Sequence, residues 1–398
     1  MIVLILALSF AMFSACSGCR DDDSDNGVLP QLGMPILVFD ASTRILSWDE
    51  VLNAVNYQIS IDGVTQTIAY TKLDLSEFRF EEGNVIDILV TAIANTDTHR
   101  NSVAAPFRYV ASTEGLSFNL VYFTFWEGLQ TETKYILGYS VSRGTADLTG
   151  TIYIPSIHND LPVIEIESRA FLDATELNNI VISSTIERIG LEAFRGTGLY
   201  NNVTHGSVVY ADNWAIDFYG NRADVTAITV REGTVGVADH AFDNMLRLVS
   251  AHMPSSLQFL GAYAFHASSA FTTMNTPDAL RSIGVNAFNN TAIWNHGHGE
   301  ITIGNWIVGF RGDFTGAVGV QSGIRGIADQ AFNGAQISEI SIPVSVIFMG
   351  SYVFVATNVD ITIIGRTERP NTWCVSWWSY QNIDFPVSWN NRTEQGNQ

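Results

Sequence analysis

The chain has 398 residues, 46% of them hydrophobic and only 15% charged, with 40 acidic against 20 basic side chains for a formal charge of -20. That supplies apolar material for two or three cores, and the negative field repels rather than attracts nucleic acid. Three cysteines, Cys16, Cys19 and Cys374, are too few for a disulfide framework, so stability has to come from burial. The chain opens on an apolar run over residues 1–13, interrupted by Ser9 alone, too short to span a bilayer comfortably and suited to the hydrophobic region of an export signal.

Small residues then lead into a cysteine twice, as Ser14-Ala15-Cys16 and Ser17-Gly18-Cys19. This resembles a bacterial lipobox. The resemblance implies a lipoprotein signal peptide over residues 1–16, lipidation of Cys16 (alternatively Cys19), and a place outside the cell, at the surface or outer envelope, held by a lipid anchor only. Residues 17–33 form an acidic tether. Asp21, Asp23 and Asp25 alternate as in a calcium loop, but Asn26 stands where the glycine belongs and no glutamate closes the loop.

Residues 34–112 read as short strands with turn signals. Ile45-Leu46-Ser47-Trp48 puts an aromatic on a strand, Tyr57 to Ile61 alternates apolar and polar, and Asp62-Gly63 is a hairpin turn. Ile86, Ile88, Val90 and Ala92 alternate again, and Phe107-Arg108-Tyr109 closes the set. The pattern resembles a fibronectin type III module. The resemblance implies a β-sandwich with Trp48 and Tyr57 in its core, acting as a spacer that lifts the following domain from the membrane.

Residues 113–398 repeat. An Ala-Phe pair recurs at Phe171, Phe194, Phe242, Phe265, Phe288 and Phe332, with Val353-Phe354 a seventh copy. Five residues before each Phe stands Ile166, Ile189, Val237, Leu260, Ile283, Ile327 or Met349. Eight before stands Val163, Ile186, Leu257, Leu280, Ile324 or Val346, with Thr234 as the exception. Pairs two residues apart, such as Ile180/Ile182 and Ile340/Ile342, mark a short strand with one face inward. Such a period is a solenoid, because each unit is too small to bury its own apolar face. Two insertions, Asp212-Asn213-Trp214 and Gly304-Asn305-Trp306, read as matching β-hairpins with packed tryptophans. A tail with Trp373, Trp377, Trp378 and Trp389 reads as a cap over the last repeat, with Cys374 a buried thiol within it.

The repeats resemble the leucine-rich repeats of BspA-like bacterial surface antigens, down to Ile340-Ser341-Ile342-Pro343, over roughly residues 120–390. The fold class is therefore mainly β: an N-terminal fibronectin type III-like β-sandwich, then a leucine-rich-repeat solenoid with short parallel strands.

No catalytic motif is present, no carboxylates recur at positions that converge, and no cofactor is called for. His296-Gly297-His298 with Glu300 reads as a surface loop rather than a metal site. The expected function is adhesion, not catalysis, through the outward residues of the stacked strands: Asn179, Thr229, Ser250, His252, Thr273, Asn275, Glu339 and Ser341. The expected partner is a host matrix protein, a glycan or a surface protein. The alternative is a structural envelope component that associates with itself.

Overall fold

The computed structural model describes residues 2–3, 29–76, 78, 83–127, 131–144, 147–377 and 387–390. Cys16, Cys19, Trp378 and most of the tether lie outside them. The described residues are nearly all strand and turn, with one α-helical turn, Ala292–His296.

Seven strands build the N-terminal unit: β1 (Leu37–Asp40), β2 (Ile45–Trp48), β3 (Ala54–Ile61), β4 (Val64–Ile68), β5 (Lys72–Asp74), β6 (Val85–Ala94) and β7 (Ala105–Val110). They form two antiparallel sheets, one ordered β1-β2-β5 and the other β4-β3-β6-β7. Alternation decides the inward face: Leu46 and Trp48, Tyr57 and Ile59, Ile88 and Val90 fill one shared core. Trp48 meets Tyr57 edge-on at 5.5 Å between ring centroids, and the Tyr57 hydroxyl accepts from the Val51 N–H at 2.8 Å.

A long hairpin, β8 (Leu116–Glu127) with β9 (Thr131–Arg143), opens the repeat region. From there the chain winds through three kinds of hydrogen-bonded stack. The first is a ladder of parallel strands in three blocks: Gly150–Ile154 with Leu177–Ile182; Ala227–Thr229, Ser250–His252 and Thr273–Met274; and Gly316–Gly319, Ile337–Ile342, Asp360–Ile364 and Val387–Asn390. The second is a ladder of mostly two-residue strands, Gly236–Val237, Phe259–Leu260 and Ser282–Ile283 among them. The third consists of tight turns around each Ala-Phe pair, stacked by amide bonds such as Phe242 N–H to Ala264 O at 2.9 Å and Phe265 N–H to Ala287 O at 2.8 Å.

These stacks bring the repeated apolar residues into columns. All seven repeat phenylalanines are fully buried, and neighbours stand 5.3 Å apart (Phe171–Phe194), 5.5 Å (Phe242–Phe265), 5.7 Å (Phe265–Phe288) and 5.4 Å (Phe332–Phe354) between centroids. Each such burial is worth about 2–3 kcal/mol, available only once a neighbouring repeat is in place. Thr234, the one polar residue in its register, is also fully buried, and its hydroxyl donates to Arg231 O at 2.8 Å.

The two insertions are hairpins, Ser207–Ala211 with Trp214–Tyr219 and Gly299–Ile303 with Trp306–Arg311. Each second strand enters the two-residue ladder, Trp214 opposite Gly236 and Trp306 opposite Gly326. In the second hairpin Phe310 joins the ring column, 5.5 Å from Phe332. At the C-terminal end Trp373 and Trp377 are buried, and Trp377 lies 6.2 Å from Phe354. Cys374 is only half-buried, a correction to the buried thiol expected of it. Its sulfur lies 3.1 Å from the Ser351 hydroxyl and 3.3 Å from that of Ser376.

The N-terminal unit does not stand clear of the repeats, which corrects the reading of a free spacer. Strand β7 lies along the solenoid: Arg108 N–H donates to Ser184 Oγ (2.8 Å), Ser184 N–H to Arg108 O (2.9 Å), Val110 N–H to Ser156 Oγ (2.9 Å) and Ser156 N–H to Val110 O (2.9 Å). The serine hydroxyls act as acceptors that extend the sheet edge into the repeats. Arg108 then bridges Asp87 of its own sheet at 2.7 Å and Asp212 of the first hairpin at 2.9 Å. These two carboxylates hold its guanidinium proton more tightly than usual, the hydrogen bond it donates to Asp87 foremost. On the other side Arg281 donates to Leu37 O at 3.1 Å.

Candidate functional site

The expected binding residues sit on the first ladder, whose backbone groups are consumed by strand pairing. Asn179, Thr229, His252, Thr273 and Glu339 are exposed, and Ser250 and Ser341 are partly so. Register places Thr229 beside His252, Ser250 beside Thr273, Asn179 beside Thr151, Glu339 beside Asp360 and Ser341 beside Thr362. The row therefore carries no Asp, Glu, Lys or Arg in its middle block and is acidic in its last.

Two parts of the expected arrangement change. The eight residues do not form one continuous row, because the hairpins divide the ladder into its three blocks. Asp212, at the first hairpin's turn, takes the edge of the Leu177–Ile182 strand by accepting from Ile182 N–H at 2.8 Å. Asn275 is not free for a ligand: its side-chain oxygen accepts from Met253 N–H at 2.8 Å and its amide donates to Met253 O at 2.9 Å. That side chain imitates a strand and finishes the ladder where Thr273–Met274 stops. Nothing in the spacing of Asp212 or Asn275 distinguishes them from other polar turn residues, so the sequence carried no signal for either role.

The structure also gathers carboxylates that the sequence does not align. A cleft of about 340 Å³ beside the first hairpin is lined by Glu192, Asp217, Asp239 and Asp243 with Arg195 and Arg222. The four carboxylates share no register in the repeat, so no recurring pattern in the sequence marks them. Each carboxylate is engaged. Asp217 accepts from Tyr200 Oη at 2.9 Å and pairs with Arg222, which also reaches Asp243 at 3.1 Å. Glu192 pairs with Arg169 at 2.9 Å and with Arg195, and the hydrogen bond from Arg169 leads those that hold its carboxyl below the usual range. Asp239 pairs with Arg188 at 2.6 Å. Ion pairs of this kind fix the geometry of the cleft.

His296 ends the helical turn and is exposed, as is His298. Glu300 is half-buried with one oxygen unpartnered, and burial raises its carboxyl above the usual range. Among the described residues no group of three or more His, Cys, Asp and Glu is placed to hold a metal ion, and no helix is long and apolar enough to cross a membrane.

Among solved structures the chain is similar to a leucine rich repeat protein of T. pallidum (19% identity over 55% of this chain and 81% of that one, TM-score 0.21). It is also similar to a leucine rich cell surface protein of Faecalibacterium prausnitzii (18%, 63% and 77%, TM-score 0.23) and to the pneumococcal vaccine antigen PcpA (12%, 68% and 89%, TM-score 0.27). No curated protein sequence matches it. The family model described as the BspA type leucine rich repeat region matches in six copies over residues 150–221, 216–299 and 310–394. These segments take in more than half of the sequence, and the chain belongs to the BspA type leucine rich repeat family.

Proposed function

We propose that this is a surface-displayed binding protein that recognises a protein or glycan through the middle block of its strand ladder. The observation that carries this reading is the register of Thr229 beside His252 and of Ser250 beside Thr273, on a surface whose backbone is already paired. Short polar side chains on a stiff stack offer hydrogen bonds with little conformational entropy to lose. The apolar run at 1–13 and the small residues before Cys16 support export and a lipid anchor on Cys16, or on Cys19. The strand pattern of residues 34–112 supports a fibronectin type III-like module, here a buttress for the solenoid rather than a stalk. Binding, not catalysis, is the activity.

The test is a binding screen of the full chain against immobilised matrix proteins and glycans, with Thr229, His252 and Thr273 changed together to lysine. Saturable binding that the triple variant loses, at unchanged thermal stability, supports this face. Binding that survives the three lysines places recognition elsewhere. Asn275 stays unchanged, since its loss would damage the ladder itself. A second reading, self-association, is favoured by one feature of the N-terminal unit.

A further inference from the structure

We propose that two copies of this chain associate through strand β4, antiparallel and centred on Gln66. The inference is independent of the strand-face reading above. In the sheet β4-β3-β6-β7, the β7 edge is closed by Ser156 and Ser184 of the solenoid, which among the described residues leaves β4 as the open edge. Every residue from Val64 to Thr67 is exposed. Three features that blunt natural edges are missing from it: β4 carries no charge, no proline and no bulge against β3.

The turn Asp62-Gly63 has positive φ at both residues, 48° and 85°, and so is a two-residue type I′ turn closing the pair Ile61–Val64. Antiparallel alternation then turns the backbone groups of Val64, Gln66 and Ile68 toward β3 and those of Thr65 and Thr67 outward. The sequence Val64-Thr65-Gln66-Thr67-Ile68 reads almost the same in both directions. Paired with itself about Gln66, it sets Thr65 against Thr67 of the other copy twice over. These are the residues whose amides and carbonyls face out, so four backbone hydrogen bonds form at once. Thr–Thr pairs line one face and Gln66 meets its own counterpart on the other, favourable cross-strand neighbours, with Val64 at the rim of the core that already buries Ile68. The contact is isologous, as a two-fold dimer requires. A chain of formal charge -20 repels itself in general, and an uncharged edge is where two copies approach with least cost.

Sedimentation equilibrium of the full chain over a wide concentration range reads the association. The expected result is a monomer–dimer equilibrium that Thr65→Pro weakens at least about tenfold, because it removes an outward N–H that has no partner among the described residues. Gln66→Cys supplies a second readout that does not depend on tolerance of proline. Under mild oxidation it should give a dimer whose disulfide joins position 66 of the two copies by peptide mapping, while Thr65→Cys alone should not link to itself. A chain that stays monomeric at every concentration overturns the proposal and leaves the edge to a strand from another protein. A dimer that ignores Thr65→Pro and gives no 66-to-66 link overturns it as well.

Discussion

The Trp214 indole lies across Gly236, its partner in the two-residue ladder, so closely that a Cβ on that glycine would overlap the six-membered ring. Phe259, next in the ladder, reaches back over the same glycine and lies parallel to Trp214 at 5.9 Å and 6°. The second hairpin repeats the arrangement with Trp306, Gly326 and Phe348, the rings 6.1 Å apart and 9° from parallel. Both glycines have ordinary backbone angles, so space and not conformation requires them. Gly236→Ala and Gly326→Ala should each destabilise the solenoid by about 2–3 kcal/mol, since the ring can escape only by disturbing the stack. Gly319→Ala is the control, because its nearest neighbour would be the Ser341 hydroxyl at 3.4 Å and the position is exposed. Denaturant midpoints of the three variants check this, and equal values for all three would refute the packing argument.

The repeat core was legible because seven copies of one register reinforce each other: Phe171, Ile166 and Val163 predict what Phe354, Met349 and Val346 do, and all are buried. The matched hairpins were legible from Trp214 and Trp306 for the same reason. What escaped depends on single polar contacts between distant segments. Arg108 finding Asp212, or Asn275 finding Met253, leaves no period in the sequence to read. The left-handed turns beside each Ala-Phe pair also escaped, because glycine, their usual signal, holds few of them.

Those turns place a residue with positive φ two positions after every repeat phenylalanine: Asp173, Gly196, Asn244, Ala267, Asn290, Gly334 and Ala356. An L-residue with a Cβ pays about 1 kcal/mol or more for this conformation, and alanine has no side-chain hydrogen bond to offset it. Ala267→Gly and Ala356→Gly should therefore each raise the thermal midpoint, by about 2 °C for a chain of this size. Gly334→Ala should lower it by a similar amount, since its Cβ would meet nothing within 4 Å and only the backbone penalty remains. Calorimetry of the three variants reads the sign directly. A fall on Ala267→Gly would mean that the φ of 57° there is not strained.

Arg108 joins the N-terminal unit to the solenoid through two carboxylates; the exposed Asp87 pair contributes about 1 kcal/mol or less, and the more buried Asp212 pair about 1.5–3 kcal/mol. The parent chain should unfold with the two units coupled. Arg108→Ala leaves Asp87 and Asp212 without the cation they share, and should split the calorimetric transition into two. Asp212→Asn should do less, because an amide oxygen can still accept from Arg108 and from Ile182 N–H. Unfolding of Arg108→Ala in one unchanged transition would show that the serine contacts of Ser156 and Ser184 suffice.

Asp239 and Asp329 occupy equivalent positions in successive blocks, with different consequences for pH. Each donates its amide to an isoleucine carbonyl of an earlier repeat, Ile189 at 2.9 Å and Ile283 at 3.0 Å. Each carboxylate accepts a backbone N–H from the next repeat, from Ala262 at 2.8 Å and from Ser351 at 2.7 Å. The residue before the isoleucine differs: Arg188 pairs with Asp239, whereas Ser282 offers Asp329 no cation. Burial pushes the Asp329 carboxyl up to about 6, helped by repulsion from Asp239 and opposed by the Ser351 N–H and the more distant Arg188. A carboxyl raised in the fold binds its proton more tightly there than in the unfolded chain, so its contribution to stability is full below about pH 4 and falls as pH rises toward 6. Asp329→Asn keeps an acceptor for Ser351 and removes the charge. It should be more stable than the parent at pH 7, by about 1–2 kcal/mol, with the gain disappearing near pH 4. Ser282→Arg should act by the opposite route, supplying the missing cation and flattening the same pH profile while the carboxylate stays ionised. Urea midpoints at pH 4, 5.5 and 7 separate the two, and an Asp329→Asn variant with no pH-dependent gain would show that Asp329 is ionised across this range without cost.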